Sequence, residues 1–201
     1  SFGTALAQLT AQAGYDVRLW LRDEAAATAI NQTHHNPRYL SEFTLDERLT
    51  ATTRLPDALR DVAWVLVTVP SHAMRAVLTE ARPHLPRVPV IIGVKGIETD
   101  TLMTMEEVAQ DVLGKDAAAR LLALSGPSFA RELIEGHPTA VVLACRDEAL
   151  AAHISETLFS HTFRAYTSTD VVGVEMGGAL KNVIAIAAGV VSGLGFGDNT
   201  R

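Results

Sequence analysis

Hydrophobic and polar positions alternate between a helical and a strand period along most of the chain. Apolar residues at positions 2, 5, 6, 9 and 13 predict a helix that ends at Gly14, and residues 15–21 then alternate as a strand. Further strands are predicted at 62–69, 88–94, 121–124, 139–144 and 163–167. Further helices are predicted at 24–33, 71–82, 102–113 and 147–158, and from about residue 125. This order predicts an α/β fold with a doubly wound parallel sheet over residues 1–170.

Two continuous apolar runs, 62–69 and 88–94, are typical of strands that are buried on both faces of a parallel sheet. Lys95 follows the second run directly. Because ligands of open parallel sheets bind at the carboxyl ends of the strands, Lys95 is a candidate site residue. The alternative is a loop lysine whose ammonium is simply hydrated.

From about residue 170 onward the pattern contains only helix and glycine-rich loop, which predicts that 171–201 begins an all-α C-terminal domain. Between Glu175 and Asp198, Lys181 is the only Asp, Glu, Lys or Arg. Such a helix is expected to be buried on nearly every side, although the chain ends too early to bury it. Desolvation disfavours a charged ammonium and suits a group that exchanges a proton near neutral pH. Alternatively, the Lys181 stem covers apolar surface while its ammonium reaches water.

The first residues, Ser1-Phe2-Gly3, begin a helix that feeds a strand, as in the second half of the dinucleotide motif G-x-G-x-x-G. Gly3 would be the third glycine, and the amides of Ser1 and Phe2 would face a pyrophosphate in a Rossmann-type domain. An ordinary helix start is the alternative. About 20 residues on, Arg22 would pair with the 2'-phosphate of NADP, whereas Asp23 suits either the ribose of NAD or a helix N-cap. We favour NADP.

Composition excludes several classes of function. The net charge of −6, without a basic cluster, argues against nucleic-acid binding. The apolar stretch 183–196 is interrupted by glycines and shorter than the roughly 20 residues of a membrane span, so no span is predicted. No His, Cys, Asp or Glu residues have metal-ligand spacing, so no metal is predicted. The single cysteine, Cys145, fits a reducing compartment and a core position.

Six ordered motifs closely resemble the NAD(P)-dependent glycerol-3-phosphate dehydrogenases, in particular the bacterial type. The motifs are Ser1-Phe2-Gly3-Thr4-Ala5-Leu6, Asn36-Pro37-Arg38-Tyr39-Leu40, Val69-Pro70-Ser71-His72, Val94-Lys95-Gly96-Ile97-Glu98, Ser125-Gly126-Pro127-Ser128-Phe129-Ala130 and Gly178-Ala179-Leu180-Lys181-Asn182-Val183. Residues 193–200 are also similar to the family. The resemblance implies a cytoplasmic enzyme, homodimeric at full length, that reduces dihydroxyacetone phosphate to sn-glycerol 3-phosphate for glycerophospholipid synthesis. It also implies NADPH as the cofactor, with NADH possible.

The resemblance also implies roles for individual residues. Lys181 would be the general acid and base, and Lys95 would contact both substrate and cofactor. Gly126 and Ser128 would contact the substrate. The remaining cofactor contacts implied are Ser1, Phe2, Arg22, Tyr39 and Ala130.

The chain departs from the family at both ends. We expect an opening strand with two further glycines before Ser1, and substrate-phosphate residues beyond Arg201. Without that strand two sheet edges lie open, so the stretch alone should be unstable or completed by other residues. Two alternatives remain open: a related two-domain hydroxy-acid or sugar-acid dehydrogenase, and a dinucleotide-binding module without catalytic activity.

Overall fold

The computed structural model describes residues 1–158 and 160–197. The helices are α1 (Phe2–Gln12), α2 (Glu24–Thr33), α3 (Leu55–Ala58), α4 (Ser71–Ala81), α5 (Met105–Leu113), α6 (Ala130–Ile134), α7 (Glu148–Thr157) and α8 (Val171–Gly193). The strands are β1 (Val17–Trp20), β2 (Leu49–Thr52), β3 (Val65–Val67), β4 (Val90–Ile92), β5 (Leu121–Ser125), β6 (Thr139–Ala144) and β7 (Phe163–Ser168). The predicted elements are therefore found, whereas β2 and α3 were not predicted.

The strands form two sheets, and the predicted Rossmann-like α/β class is confirmed. One sheet pairs β1 with β2 in parallel, and the other has the order β3-β4-β5-β6-β7. In the larger sheet β6 runs antiparallel to β5, while the other neighbouring pairs are parallel. The sheet is therefore mixed at this one pairing rather than parallel throughout.

A groove of about 470 Å³ separates the two sheets and is lined by residues of both β1 and β3. Because β3 pairs with β4 alone among the described strands, it forms an edge of the larger sheet. The prediction that this strand is buried on both faces is wrong for the described chain, since Val65 and Leu66 are only half-buried. The free backbone of β3 instead faces the groove, which is the kind of edge to which a further strand adds.

Packing covers both faces of the larger sheet around β4 and β5. Ile91 and Leu122 belong to a core cluster on one face, and their neighbours Ile92 and Leu121 belong to a cluster on the other. The strand period of two explains this alternation. Cys145 is buried in the first cluster, as predicted. The two cores hold the carboxyl ends of β3, β4 and β5 in fixed positions.

Helix α8 is mostly exposed, which contradicts the burial expected from its composition. Within its 23 residues, all of them described, only Val171 and Glu175 are buried. Exposed apolar side chains on α8 include Leu180, Val183, Ile184, Ile186 and Val190. The apolar pattern indicates a helix that would be stabilised by burial, but the described residues pack against only its first turns.

The glycines of α8 do not interrupt it, so the helix is longer than the apolar stretch that the sequence indicated. Among the described residues it is the one helix whose length and apolar composition would allow it to cross a membrane. Core helices of soluble proteins can have the same length and composition, so a single helix of this kind is weak evidence for a span. The absence of a membrane span stays a prediction.

Candidate active site

The amino end of α1 and the carboxyl ends of β3 and β4 surround a cleft of about 320 Å³. Its lining includes Phe2, Pro70, Gly93, Lys95 and Ser128, contributed by four separate stretches of the chain. The larger groove between the sheets is bordered by strand edges, whereas this cleft contains the predicted site residues Phe2, Lys95 and Ser128. It also lies where parallel sheets bind their ligands, so it is the candidate site.

Gly3 allows α1 to approach the end of β3 closely. A Cβ atom at this position would lie 2.5 Å from the Oγ1 of Thr68, a separation that no side chain tolerates without movement. This close contact is the role expected for the third glycine of a dinucleotide motif, and it brings the first amides of α1 toward the cleft. Of the predicted cofactor residues, Phe2 lines the cleft and Gly3 packs against Thr68, while their roles stay predictions.

Lys95 comes three residues after β4, and its Nζ donates a hydrogen bond of 2.8 Å to the carbonyl oxygen of Gly126. Ser128 donates its hydroxyl to the same carbonyl at 3.3 Å. Partial burial lowers the pKa of Lys95, and repulsion from the ammonium of Lys181 lowers it further. Three predicted substrate residues therefore lie together, and the two lysines are close enough to influence each other.

Gly178 lets the backbone of α8 reach this cluster. A Cβ atom there would lie 2.6 Å from the Oγ of Ser125 and 3.5 Å from the Cγ of Lys95. One turn further along α8, the Nζ of Lys181 lies 5.1 Å from the ring centroid of Phe129, which is a cation–π distance. The sequence identifies Gly178 only as part of a motif, because its role depends on a tertiary contact.

Lys181 is exposed, so the predicted desolvation of its ammonium is wrong for the described chain. The all-apolar surroundings in the sequence misled the prediction, because the described residues leave most of α8 uncovered. It nevertheless lies beside Phe129 and near Lys95, and its role in the site stays a prediction.

In the region where the adenosine ribose is expected, Arg22 and Asp23 have different surroundings. The carboxylate of Asp23 accepts a hydrogen bond of 3.1 Å from the amide of Ala26 and so caps α2. It also lies 4.0 Å from the guanidinium of Arg38. Arg22 is exposed. Asp23 thus has a structural role, which favours the interpretation of Arg22 as a phosphate-binding residue.

A buried asparagine, which the sequence analysis did not identify as functional, holds the loop that carries Tyr39. The Oδ1 of Asn36 accepts from the amides of Arg38 and Tyr39 at 3.1 and 3.2 Å. Its Nδ2 donates to the Oγ1 of Thr4 in α1 at 3.1 Å. Asn36 therefore ties this loop to the helix whose amino end borders the cleft, while the Tyr39 ring stays exposed.

One predicted position lies away from the cleft, and one predicted stretch is only partly described. Ala130 begins α6 and packs against the core rather than lining the cleft. Part of the similar stretch 193–200, namely Asp198, Asn199 and Thr200, lies outside the described residues. Within the described ranges, no group of three or more His, Cys, Asp and Glu side chains is arranged to hold a metal ion.

Comparison with known proteins agrees with this geometry. The sequence model described as the N-terminus of NAD-dependent glycerol-3-phosphate dehydrogenase matches residues 1–151, and the model of its C-terminus matches residues 170–201. The chain belongs to this dehydrogenase family. The two matched segments meet at the site, since the first contains Lys95 and the second contains Lys181.

Individual members of the dehydrogenase family match the chain over its full length. It is 54% identical to glycerol-3-phosphate dehydrogenase [NAD(P)+] of Rhodospirillum rubrum, covering 100% of this chain and 57% of the relative. Identity to the Myxococcus xanthus protein of the same name is 49%, with 100% and 60% covered. The glycerol-3-phosphate dehydrogenase structure from Coxiella burnetii superposes with a TM-score of 0.87 at 34% identity, covering 98% of this chain and 60% of that one. The chain thus spans about three fifths of the length of these relatives.

The loop that carries Lys95 in this family member is held by a charged network. Arg75 of α4 donates to both carboxylate oxygens of Glu98, from Nε at 2.9 Å and from Nη2 at 2.8 Å. Thr101 donates its hydroxyl to Glu98 at 2.6 Å, and Arg75 also pairs with Asp111 of α5. The hydrogen bonds from Arg75, then that from Thr101, lower the pKa of Glu98 to about 2.

This network predicts an acid-sensitive stability. Because the folded pKa of Glu98 lies below the ordinary value of 4.5, its contribution is complete above about pH 4.5 and is lost progressively as the pH falls toward 2. We expect Glu98→Gln to lower the free energy of unfolding near neutral pH and to flatten its decline at acid pH. Urea unfolding of the full-length protein at several pH values measures both effects. The matched control is Glu47→Gln at an exposed position, and an equally steep acid decline in wild type and Glu98→Gln would contradict the assignment.

Proposed function

We propose that this chain supplies the cofactor site and two catalytic lysines of an oxidoreductase that reduces dihydroxyacetone phosphate to sn-glycerol 3-phosphate. The observation that carries the proposal is the convergence of Lys95 and Lys181 beside one cleft, where α8 comes so close that a Cβ at Gly178 would touch Lys95. The names of the relatives, glycerol-3-phosphate dehydrogenase [NAD(P)+], support the same substrate pair. NADPH is the proposed cofactor, with NADH as a substitute.

The cofactor would lie along the amino end of α1. Amides of Ser1 and Phe2 at a helix N-terminus suit the pyrophosphate, and the close contact at Gly3 supports this fit. Arg22 would bind the 2'-phosphate, with Tyr39 and Ala130 as further contacts. When bound, the reduced nicotinamide supplies the hydride.

Lys181 would transfer a proton from its ammonium to the carbonyl oxygen of the substrate during reduction. In the reverse direction its neutral amine would accept the hydroxyl proton. General acid–base catalysis by a positioned side chain typically accelerates such a step by roughly 10²- to 10⁴-fold. The exposed ammonium above Phe129 is free to approach a ligand in the cleft from the α8 side.

Lys95 would polarise the same carbonyl and stabilise the developing alkoxide. It is already held in place by its hydrogen bond to Gly126, so little rearrangement is needed as charge develops. Two ammonium groups in one cleft also favour an anionic substrate such as a phosphorylated triose. Gly126 and Ser128 would complete the contacts to the substrate.

The two proposed domains have different roles. Residues 1–170 would bind the dinucleotide, and residues 171–201 would begin the helical substrate domain. The wider roles proposed for the full-length protein are glycerophospholipid synthesis, a cytoplasmic location and a homodimeric state. No nucleic-acid partner and no metal are proposed.

Substrate profiling of the full-length protein tests the proposal. NADPH oxidation should be rapid with dihydroxyacetone phosphate and slow with 2-oxo acids or keto-sugar acids at equal concentration. Preference for another carbonyl compound would favour the related two-domain dehydrogenases. Tight cofactor binding without turnover of any carbonyl compound would favour a dinucleotide-binding module.

Arg22 should determine the preference between the two nicotinamide cofactors. Charge-assisted hydrogen bonds contribute about 1.5 to 3 kcal/mol, so Arg22→Ala should weaken NADPH binding by roughly 10- to 100-fold and NADH binding by less than about threefold. Fluorescence titration of both cofactors measures this. Arg54→Ala is the matched control, because this exposed guanidinium follows the neighbouring strand β2 and pairs with Asp57. If Arg22→Ala lowered the affinities for NADPH and NADH equally, the assignment of Arg22 to the 2'-phosphate would be contradicted.

A further inference from the structure

A buried charged cluster lies beneath the first turns of α8, where three parts of the chain meet. Glu106 of α5 is 1% exposed and pairs with Arg146, which follows β6. Glu175 of α8 is 8% exposed. Its Oε1 accepts a buried hydrogen bond of 2.7 Å from the backbone amide of Glu106. This bond joins α8 directly to the amino end of α5.

The amino end of α5 already has its own cap. Thr104 and Glu107 form a capping box, in which the Thr104 amide donates to Glu107 at 2.8 Å and the Glu107 amide donates to Thr104 at 3.4 Å. Glu175 adds a further acceptor from another helix, at an amide that has no partner within α5. Because α5 is already capped by its own residues, we attribute the bond from Glu175 to the placement of α8.

The setting of Glu175 is costly for a carboxylate. Burial raises its pKa, and the neighbouring Glu106 and Glu107 raise it further, while the hydroxyl of Thr104 and the amide of Glu106 oppose the change. Within the described residues the Oε2 of Glu175 has no partner of hydrogen-bond geometry, although Thr104 lies beside it. A buried oxygen left in this state costs stability, which indicates that the residue serves another purpose.

The spacing along α8 connects this anchor to the site. Glu175, Gly178 and Lys181 follow one another at intervals of three residues, so each is rotated by about 60° from the one before and the three form a ridge that winds along the helix. Glu175 bonds to the amino end of α5, Gly178 lies against Ser125 and Lys95, and Lys181 lies over Phe129. A rotation of α8 about its axis would move all three together.

We propose that Glu175 is a positioning residue, whose hydrogen bond to the amino end of α5 fixes the rotation of α8 and thereby holds the Lys181 ammonium near Lys95. The inference rests on the proposed function, since it assigns a purpose to the distance between the two lysines. Of the buried side chains of α8, Glu175 is the one that forms a directional bond, because the other is Val171.

The test compares Glu175→Ala with Glu107→Ala in the full-length protein. Both variants remove an acceptor from the amino end of α5, but only the first releases α8. A displacement of a catalytic group by about 1 Å can lower the reaction rate by roughly 10²-fold. We therefore expect Glu175→Ala to lower kcat for dihydroxyacetone phosphate by at least about 30-fold, with the Kd for NADPH changed by less than about threefold. Glu107→Ala should leave kcat within about threefold of wild type, and Glu175→Gln, which keeps an acceptor, should recover most of the loss.

Two outcomes would overturn the proposal: a kcat within threefold of wild type for Glu175→Ala, or an equal loss for Glu107→Ala. If Glu175→Ala does not fold, Glu175→Asp replaces it, because the shorter carboxylate withdraws from the Glu106 amide. A slower Glu175→Asp than Glu175→Gln is then expected, and the opposite order would overturn the role.

Hydrogen exchange separates failure of this inference from failure of the proposed function. Amides of α8 should exchange faster in Glu175→Ala, or in Glu175→Asp where that variant replaces it, than in Glu107→Ala, whether or not the wild type reduces dihydroxyacetone phosphate. Equal exchange rates in α8 would overturn the positioning role. Absence of turnover in the wild type, with the difference in exchange intact, would overturn the proposed substrate and leave the anchor in place.

Discussion

Lys181→Ala in the full-length protein is expected to lower kcat for dihydroxyacetone phosphate by about 10³-fold or more, while NADPH affinity stays within about threefold. The reason is that the variant removes the proposed proton donor but no group assigned to the cofactor. Lys181→Arg should remain nearly as slow, because a guanidinium keeps the charge above Phe129 but does not release its proton in this pH range. Steady-state kinetics and cofactor titration measure the two quantities.

The chain itself offers a control for this experiment. It contains three lysines, and the third, Lys115, is exposed in the short helical segment Lys115–Arg120 that follows α5. Lys115→Ala should leave both kcat and NADPH affinity unchanged. Normal turnover in Lys181→Ala would remove its role as proton donor, whereas full recovery of rate in Lys181→Arg would show that charge alone matters.

Lys95→Ala is expected to lower kcat/KM by roughly 10²- to 10³-fold, because removal of one donor to a developing oxyanion typically has this effect. Unlike the loss of Lys181, it should also raise KM and weaken NADPH binding, since Lys95 lines the cleft between α1 and Ser128. The same titrations and initial-rate measurements distinguish the two lysines. Identical kinetic changes in both variants would contradict their separate roles.

Lys95 also predicts the direction of a pH effect. Burial and the neighbouring Lys181 lower its pKa, so the ammonium loses its proton at a lower pH than an ordinary lysine does. Reduction needs the charged form, and kcat/KM should therefore fall as the pH rises through this lowered pKa. Lys95→Arg, whose charge persists, should move that decline to higher pH. A profile over about pH 6 to 10 that is unchanged by Lys95→Arg would assign the decline to another group.

The sequence predicted those features of the fold that depend on local patterns. Continuous apolar runs located the strands before Pro70 and Lys95, and the positions of Asp23 and Gly14 located a helix start and a helix end. Strand β2 and helix α3 were missed because Leu49–Thr52 and Leu55–Ala58 are short and contain polar residues. Their stability comes from pairing with β1 and from packing rather than from their own periodicity.

The site could be predicted in part for the same reason. Lys95 was found from its place after a buried run, and Lys181 from its isolation among apolar residues, although the structure leaves Lys181 exposed. Asn36, Gly178 and Glu175 have roles that depend on contacts with residues at least 32 positions away. No pattern within one element reveals such contacts, so these roles required the three-dimensional arrangement.

The most direct test of the two-lysine site is the product formed from dihydroxyacetone phosphate and NADPH by the purified full-length protein. We expect one molecule of sn-glycerol 3-phosphate for each NADPH oxidised, with the reaction lost in Lys181→Ala. A folded, NADPH-binding protein that consumes no NADPH with this substrate, or that forms another product, would contradict the proposed function.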